Sequence, residues 1–392
     1  MTEHRTGYAR VVTAARFDLD AMLADPVTKI VVCCGSGGVG KTTTAAAIGV
    51  RAAEVHGRRV VVLTIDPARR LAQSMGLTEL DNTPRQVKGI DTEGTGGELH
   101  AMMLDMKRTF DEVVQEHTTP QRAAEIFANP FYQAMSSTFA GTQEYMAMEK
   151  LGQLQGAGEW DLIVVDTPPS RSALDFLDAP ARLSRFLDGR MLRLLLAPAR
   201  SGGRSVFSLV TASFGLFSRA VQKILGAQLL TDLSGFVAAL DSMFGGFRQR
   251  ADETYRILQD PQTAFLLIAS PERDAVREAA YFAKRLVAER MPLAGLVLNR
   301  VHRSELPGLT ADAAERAAAT LDETDGNEVT ADALRIHAAL LRQTERETRV
   351  AATFSDAFPA VPMAEVTAQP ADVHDVDGLR TIGAALATAG QP

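Results

Sequence analysis

Short runs of valine, isoleucine and leucine recur along the chain, and between them apolar residues fall three and four positions apart. The runs begin at Lys29 (KIVVCC), Arg59 (RVVVLTID), Glu98 (ELHAMMLD), Asp161 (DLIVVD), Ala264 (AFLLIAS), Ala294 (AGLVLN) and Phe358 (FPAVPM). They are continuous rather than alternating, which is the pattern of strands covered on both faces. Strands of this kind alternating with helical periodicity predict an α/β fold, a doubly wound, mainly parallel sheet with crossover helices.

Two intervals hold more helix than a crossover needs, about 106–154 and 181–260, and together predict an inserted helical subdomain. The second carries apolar residues at Leu183, Phe186, Leu187, Met191, Leu194 and Leu195, with similar sets around Phe214 and Phe236. Such stripes bury one helix face, either in a core or in a groove for a partner, and the spacing leaves both open. A third helical interval, 310–352, has its turn at Asp325 and Gly326, with Thr330 predicted to cap the following helix. Residues 1–28 read as an N-terminal extension and 29–392 as the main domain.

Of the 392 residues, 46% are apolar, enough for a large core, and 41 basic against 48 acidic side chains give a net charge of −7. That balance argues against a nucleic-acid partner held by bulk positive charge. The two cysteines, Cys33 and Cys34, are adjacent. Neighbours in a strand point to opposite faces, so they share no metal and are expected to be small buried hydrophobes; no zinc site is predicted. The first residues lack the apolar core of a signal peptide, and a cytoplasmic location is expected. The longest apolar stretch, about 14 residues from Ser205 to Ser218, is shorter than the roughly 18–20 a membrane-spanning helix needs. At most, peripheral membrane association is expected.

The strongest chemical signal is GSGGVGKTT: Gly35, Ser36, Gly37, Gly38, Val39, Gly40, Lys41, Thr42 and Thr43. It follows one predicted strand and opens one predicted helix, the context in which GxxxxGK[ST] is a P-loop. Glycines let backbone N–H groups converge on phosphate, Lys41 places an ammonium on the β and γ oxygens, and the Thr42 hydroxyl can ligate magnesium. Two aspartates, Asp66 and Asp166, end apolar strands at the edge where ligands of open α/β sheets bind. Either carboxylate could hold metal or position water.

GSGGVGKTT, IDPA at Ile65 to Ala68, DTPPSRSALDFLDAP from Asp166 and GTQEYMAMEKL from Gly141 resemble the ArsA-type ATPases. That family includes the arsenite-pump ATPase and the ATPase that targets tail-anchored membrane proteins. The resemblance implies ATP and Mg2+ as cofactors, with Asp66 orienting the attacking water and Asp166 beside the metal. It implies that Asn299 reads the adenine edge, and that Pro271, Glu272, Pro362 and Met363 lie near the nucleotide. It further implies a dimer whose helical region binds a client.

Several positions depart from the family. Ser36 stands where the family commonly has a lysine that reaches the partner's nucleotide, and Pro168, Ser170, Arg171 and Ser172 alter the segment after Asp166. No CxxC follows Asn299. The expected assembly is a homodimer, or a heterodimer with a related subunit, acting on a protein client with an apolar segment; Met102, Met103, Met106, Met146, Met148, Met191 and Met243 are candidates to line a client groove. A regulatory, weakly hydrolysing subunit and a MinD/ParA-like positioning ATPase are the alternatives. The second would need a terminal amphipathic helix or a basic surface, and the terminal TIGAALATAGQP is not such a helix. An arsenite-pump role would need clustered thiols that the helical region lacks.

Overall fold

The computed structural model describes residues 16–65, 70–77, 79–130, 132–133, 142–168, 249–250, 252–306, 308–323 and 326–389. Eight strands form one sheet: β1 (Ile30–Cys34), β2 (Arg59–Thr64), β3 (Arg85–Gln86), β4 (Glu98–Met103), β5 (Leu162–Asp166), β6 (Thr263–Ala269), β7 (Leu293–Val301) and β8 (Met363–Thr367). Their order is β3-β4-β2-β5-β1-β6-β7-β8, and every pairing is parallel except the short β3 with β4. β1 is flanked by β5 and β6, so the chain winds outward in both directions from it and the topological switch point lies at its C-terminal end. The central strands β1, β5 and β6 are buried at every position, which is why their sequences do not alternate.

The last predicted strand is shifted. FPAVPM begins at Phe358, but the structure keeps the chain helical through Ala357 and starts β8 at Met363. Phe354 is fully buried, and Phe358 packs on it with ring centroids 5.0 Å apart, so the first apolar residue of the run closes a helix. Pro359 and Pro362 cannot donate to a ladder, and pairing begins just beyond them. β3 lies outside the predictions because two residues are too few to show a period.

Ten helices complete the described structure: α1 (Leu19–Ala24), α2 (Lys41–Glu54), α3 (Arg70–Ser74), α4 (Met106–His117), α5 (Pro120–Ala128), α6 (Thr142–Ala157), α7 (Arg273–Ala288), α8 (Ala311–Asp322), α9 (Glu328–Ala357) and α10 (Val376–Thr388). The chain from Arg16 onward does not stand apart as an extension. Phe17, Leu19 and Leu23 are buried in the main core, and the Phe17 N–H donates to the Met363 carbonyl on the exposed edge of β8. α9 starts at Glu328, so Thr330 sits inside its first turn rather than capping it. Thr310 does cap α8, its hydroxyl accepting from the Ala313 N–H.

Of the first helical interval, α4, α5 and α6 bury Phe110, Val113, Ile126, Met146, Met148 and Leu151 in the same core as the sheet. Met102, Met146 and Met148 are fully buried, so these three are packing residues, not groove lining. Met191, Met243 and the stripes between 183 and 245 lie outside the described residues. Among the described residues no helix is long and apolar enough to cross a membrane.

Candidate functional site

The loop between β1 and α2 has the geometry its glycines require. Gly38 and Gly40 adopt φ of +78° and +96°, a left-handed conformation that side chains other than hydrogen resist. Gly35 is fixed by crowding: a Cβ there would lie 2.1 Å from the Ile268 carbonyl oxygen at the end of β6. Gly40 occupies the N-cap of α2 without a side-chain cap, so the first N–H groups of this 14-residue helix face the loop's concavity, where backbone dipole and donors together favour an anion.

Four side chains meet there. Lys41 is buried and its Nζ donates to the Ser36 carbonyl at 2.8 Å, so the ammonium lies back across the loop. Thr42 Oγ1 donates to Asp166 Oδ2 at 2.8 Å, and Thr64 Oγ1, at the end of β2, donates to the same oxygen at 2.9 Å. Asp166 is fully buried at the end of β5. A hydroxyl and a carboxylate within hydrogen-bond distance, both hard oxygen donors at the mouth of a phosphate loop, fit a small divalent cation such as Mg2+. The Ile65 N–H donates to the Asp166 carbonyl at 3.0 Å, which brings the chain entering Asp66 beside Asp166. Asp66 and Arg171 themselves lie outside the described residues.

Asn299 reaches the loop from β7. Its Nδ2 donates to the Val39 carbonyl at 2.8 Å, and a Cβ on Gly40 would sit 2.3 Å from that nitrogen. Loop and amide therefore form one surface, and beside it opens a cavity of about 420 Å3 lined by Lys41, Thr42, Thr43, Asn299 and residues of α3, β8 and the segment after β8. That volume suits a nucleotide-sized ligand.

Two expected pairs are not brought to this cavity. Pro362 and Met363 stand at the N-terminal end of β8, where Met363 pairs with Leu296. Asn299 pairs with Val366, three residues further along, so Pro362 and Met363 face the other edge of the sheet. The displaced strand start is the cause. Pro271 and Glu272 precede α7, with Glu272 in its N-cap position, and neither lines the cavity. The polar residues that line it and were not anticipated are Gln73, Ser74, Arg300, Thr367, Gln369, Asp372 and His374. Placing β8 at MAEVT would have pointed to the last four, because ligands of parallel sheets lie beyond the carboxyl ends of strands.

Cys33 and Cys34 are both fully buried beneath the loop. Burial pushes the Cys34 thiol up to about 12, and burial with the nearby Asp166 carboxylate raises Cys33 as well. Neither forms thiolate near neutral pH, so native protein should give almost no reaction with a thiol reagent at pH 8, and both thiols should react after denaturation. A rapid native reaction would show that β1 opens.

Residues 28–308 match the profile of the ArsA family, described as anion-transporting ATPases. The ATPase GET3 of Malassezia globosa is 24% identical over 72% of this chain and 76% of its own length. The ATPase ASNA1 homologue of Cryptosporidium parvum is 25% identical over 68% of this chain and 63% of its length. A putative arsenical pump-driving ATPase of Chlorobaculum tepidum is 29% identical over 40% of this chain and 36% of its length. The matched range includes the P-loop, Asp166 and Asn299, and the chain belongs to the ArsA-type family of ATPases.

Proposed function

We propose that the protein is a Mg2+-dependent ATP switch, working as a dimer, whose nucleotide state is coupled to a protein client or membrane partner through the helical region around 106–154 and 181–260. The observation that carries the nucleotide part is the convergence of Lys41, Thr42 and Asp166 on one loop. Bound ATP would displace the Lys41 ammonium from the Ser36 carbonyl onto its β and γ oxygens. Mg2+, held by Thr42 and Asp166, would neutralise phosphate charge. Asp66, which follows β2 in the sequence, would orient the attacking water, and Asn299 would contact the adenine. Pro271 and Glu272 are retained only as part of the neighbouring turn.

Coupling demands that ATP bind two conformations unequally. Hydrogen exchange across residues 183–245 should therefore change when ATP is added. Identical protection with and without nucleotide would assign that region to plain core and remove the client part of the proposal.

Ser36 favours a second feature. A cationic group reaching the transferred phosphate is worth roughly 10³–10⁵ in rate, and serine supplies no charge, so a homodimer should turn over slowly. A lysine from a related subunit would restore the rate in a heterodimer, because Ser36 stops this chain from donating the cation but not from receiving one. Mixing the chain with a copurifying relative should raise phosphate release, and mutating the relative's lysine should cancel the gain. If the isolated chain is already fast and Arg171→Ala slows it, this chain supplies its own cation and the heterodimer is not needed.

A further inference from the structure

A second cavity lies away from the nucleotide, in the valley between α7 and α9. It measures about 660 Å3, and its walls carry Arg273 and Arg277 from α7 and Arg346 and Arg349 from α9, with Val276, Ala280, Val350 and Thr353 between them. It shares no residue with the cavity beside the P-loop. The arrangement follows from sequence spacing: Arg273 and Arg277 are one turn apart on α7, and Arg342, Arg346, Arg349 and Thr353 form a stripe on α9. Val276 is buried and Ala280 is too small to fill the valley.

Among the described residues these charges are little spent. Among the described residues no ion pair involves Arg273 or Arg346, and Arg349 donates only to the backbone carbonyl of Glu345. Arg277 meets Asp274 at 3.0 Å, but both are more than 80% exposed, where such a pair contributes little. Of the other carboxylates of these turns, Glu347 is taken up by His302, Glu272, Glu278 and Glu345 do not line the valley, and Arg342 is paired with Glu315. The positive stripe continues on α7 through exposed Lys284, beside Tyr281, which is 54% exposed, and Val287, which is 61% exposed. This cluster stands out on a chain of net charge −7.

Size and chemistry select the occupant. The stretch from Arg346 to Thr353 rises about 10 Å, too short to seat the 20 or so residues a side of an ordinary protein interface, yet suited to one headgroup. Guanidinium forks match phosphate oxygens in two-point fashion. An apolar floor below them, and an aromatic ring with a lysine beside them, suit the upper part of an acyl chain and the polar boundary of a bilayer. We propose that this valley binds the phosphate headgroup of an anionic phospholipid and so docks the ATPase on a membrane surface. The proposal is independent of the client reading above.

Flotation with vesicles tests it. The full chain should float with phosphatidylcholine vesicles containing phosphatidylglycerol and not with phosphatidylcholine alone, and high salt should release it. The pair Arg277→Gln and Arg346→Gln should lower vesicle partitioning roughly 25-fold, at about five-fold per cation near a charged surface, while ATP affinity stays as in the parent. Lysine at both positions should bind between the parent and the glutamine variant, because an ammonium keeps the charge but not the two-point contact. Equal flotation with neutral vesicles, no flotation with either, or a glutamine variant that floats like the parent would overturn the proposal. So would binding of a soluble acidic peptide at these arginines in a chain that ignores vesicles, which would make the valley a protein-docking site.

Discussion

Lys41→Ala is expected to bind Mg2+-ATP at least about 30-fold more weakly than the parent, the low end of the roughly 2–5 kcal/mol that follows loss of one partner from a buried charge contact. In the structure the Lys41 ammonium is buried and donates to the Ser36 carbonyl, a neutral acceptor that nucleotide can replace. Removing it leaves the β and γ phosphates to backbone N–H groups and the metal alone. The loop should keep its shape, because its turns are set by Gly38 and Gly40 and by the contacts of Gly35 and Asn299. Calorimetry at constant Mg2+ measures the loss, with circular dichroism as the control for folding. Unchanged affinity in a folded variant would place the nucleotide elsewhere.

The buried strands were legible for a physical reason. β1, β2, β5 and β6 are covered on both faces, so their composition is nearly all Val, Ile, Leu and small residues. The margins were less so. Around residues 354–363 a helix face and a strand face are apolar in succession, and only packing decides that Phe358 belongs with Phe354 rather than with the sheet. Likewise Phe17, Leu19 and Leu23 resemble an isolated short pattern until β8 and α10 are present to cover them.

The site divides in the same manner. Lys41, Thr42 and Asp166 are local consequences of a motif and a strand end, and the structure brings Thr42 and Asp166 within hydrogen-bond distance. Asn299 is 260 positions from its partner Val39, so its place came from a family pattern and its contact only from the fold. The segment after β8 carries no motif, and its cavity-lining residues Gln369, Asp372 and His374 are ordinary loop residues in sequence. Their place depends on where β8 ends, and an error of five residues in that strand moves the predicted contacts to the opposite side of the sheet.

The two strand-end aspartates should separate in function, which spacing alone leaves open. Asp66→Asn should lower steady-state phosphate release by about 10²–10⁴ with nucleotide affinity nearly unchanged, because an amide keeps the shape but loses the carboxylate that would orient water. Asp166→Asn should behave differently. Asp166 is fully buried, and one of its oxygens accepts from Thr42 and Thr64, so the neutral amide removes a charge from the proposed metal site and replaces one of its two acceptor oxygens with a donor. Metal-dependent ATP affinity and hydrolysis should then fall together, and the residual binding should lose its dependence on Mg2+ concentration. Thr42 belongs with the second case, since its hydroxyl donates to Asp166. Titrating each variant with ATP at several Mg2+ concentrations, alongside phosphate release, discriminates the roles. An Asp66 variant that hydrolyses at the parent rate would remove that residue from catalysis, and an Asp166 variant with unchanged Mg2+ dependence would move the metal off the carboxylate at the end of β5.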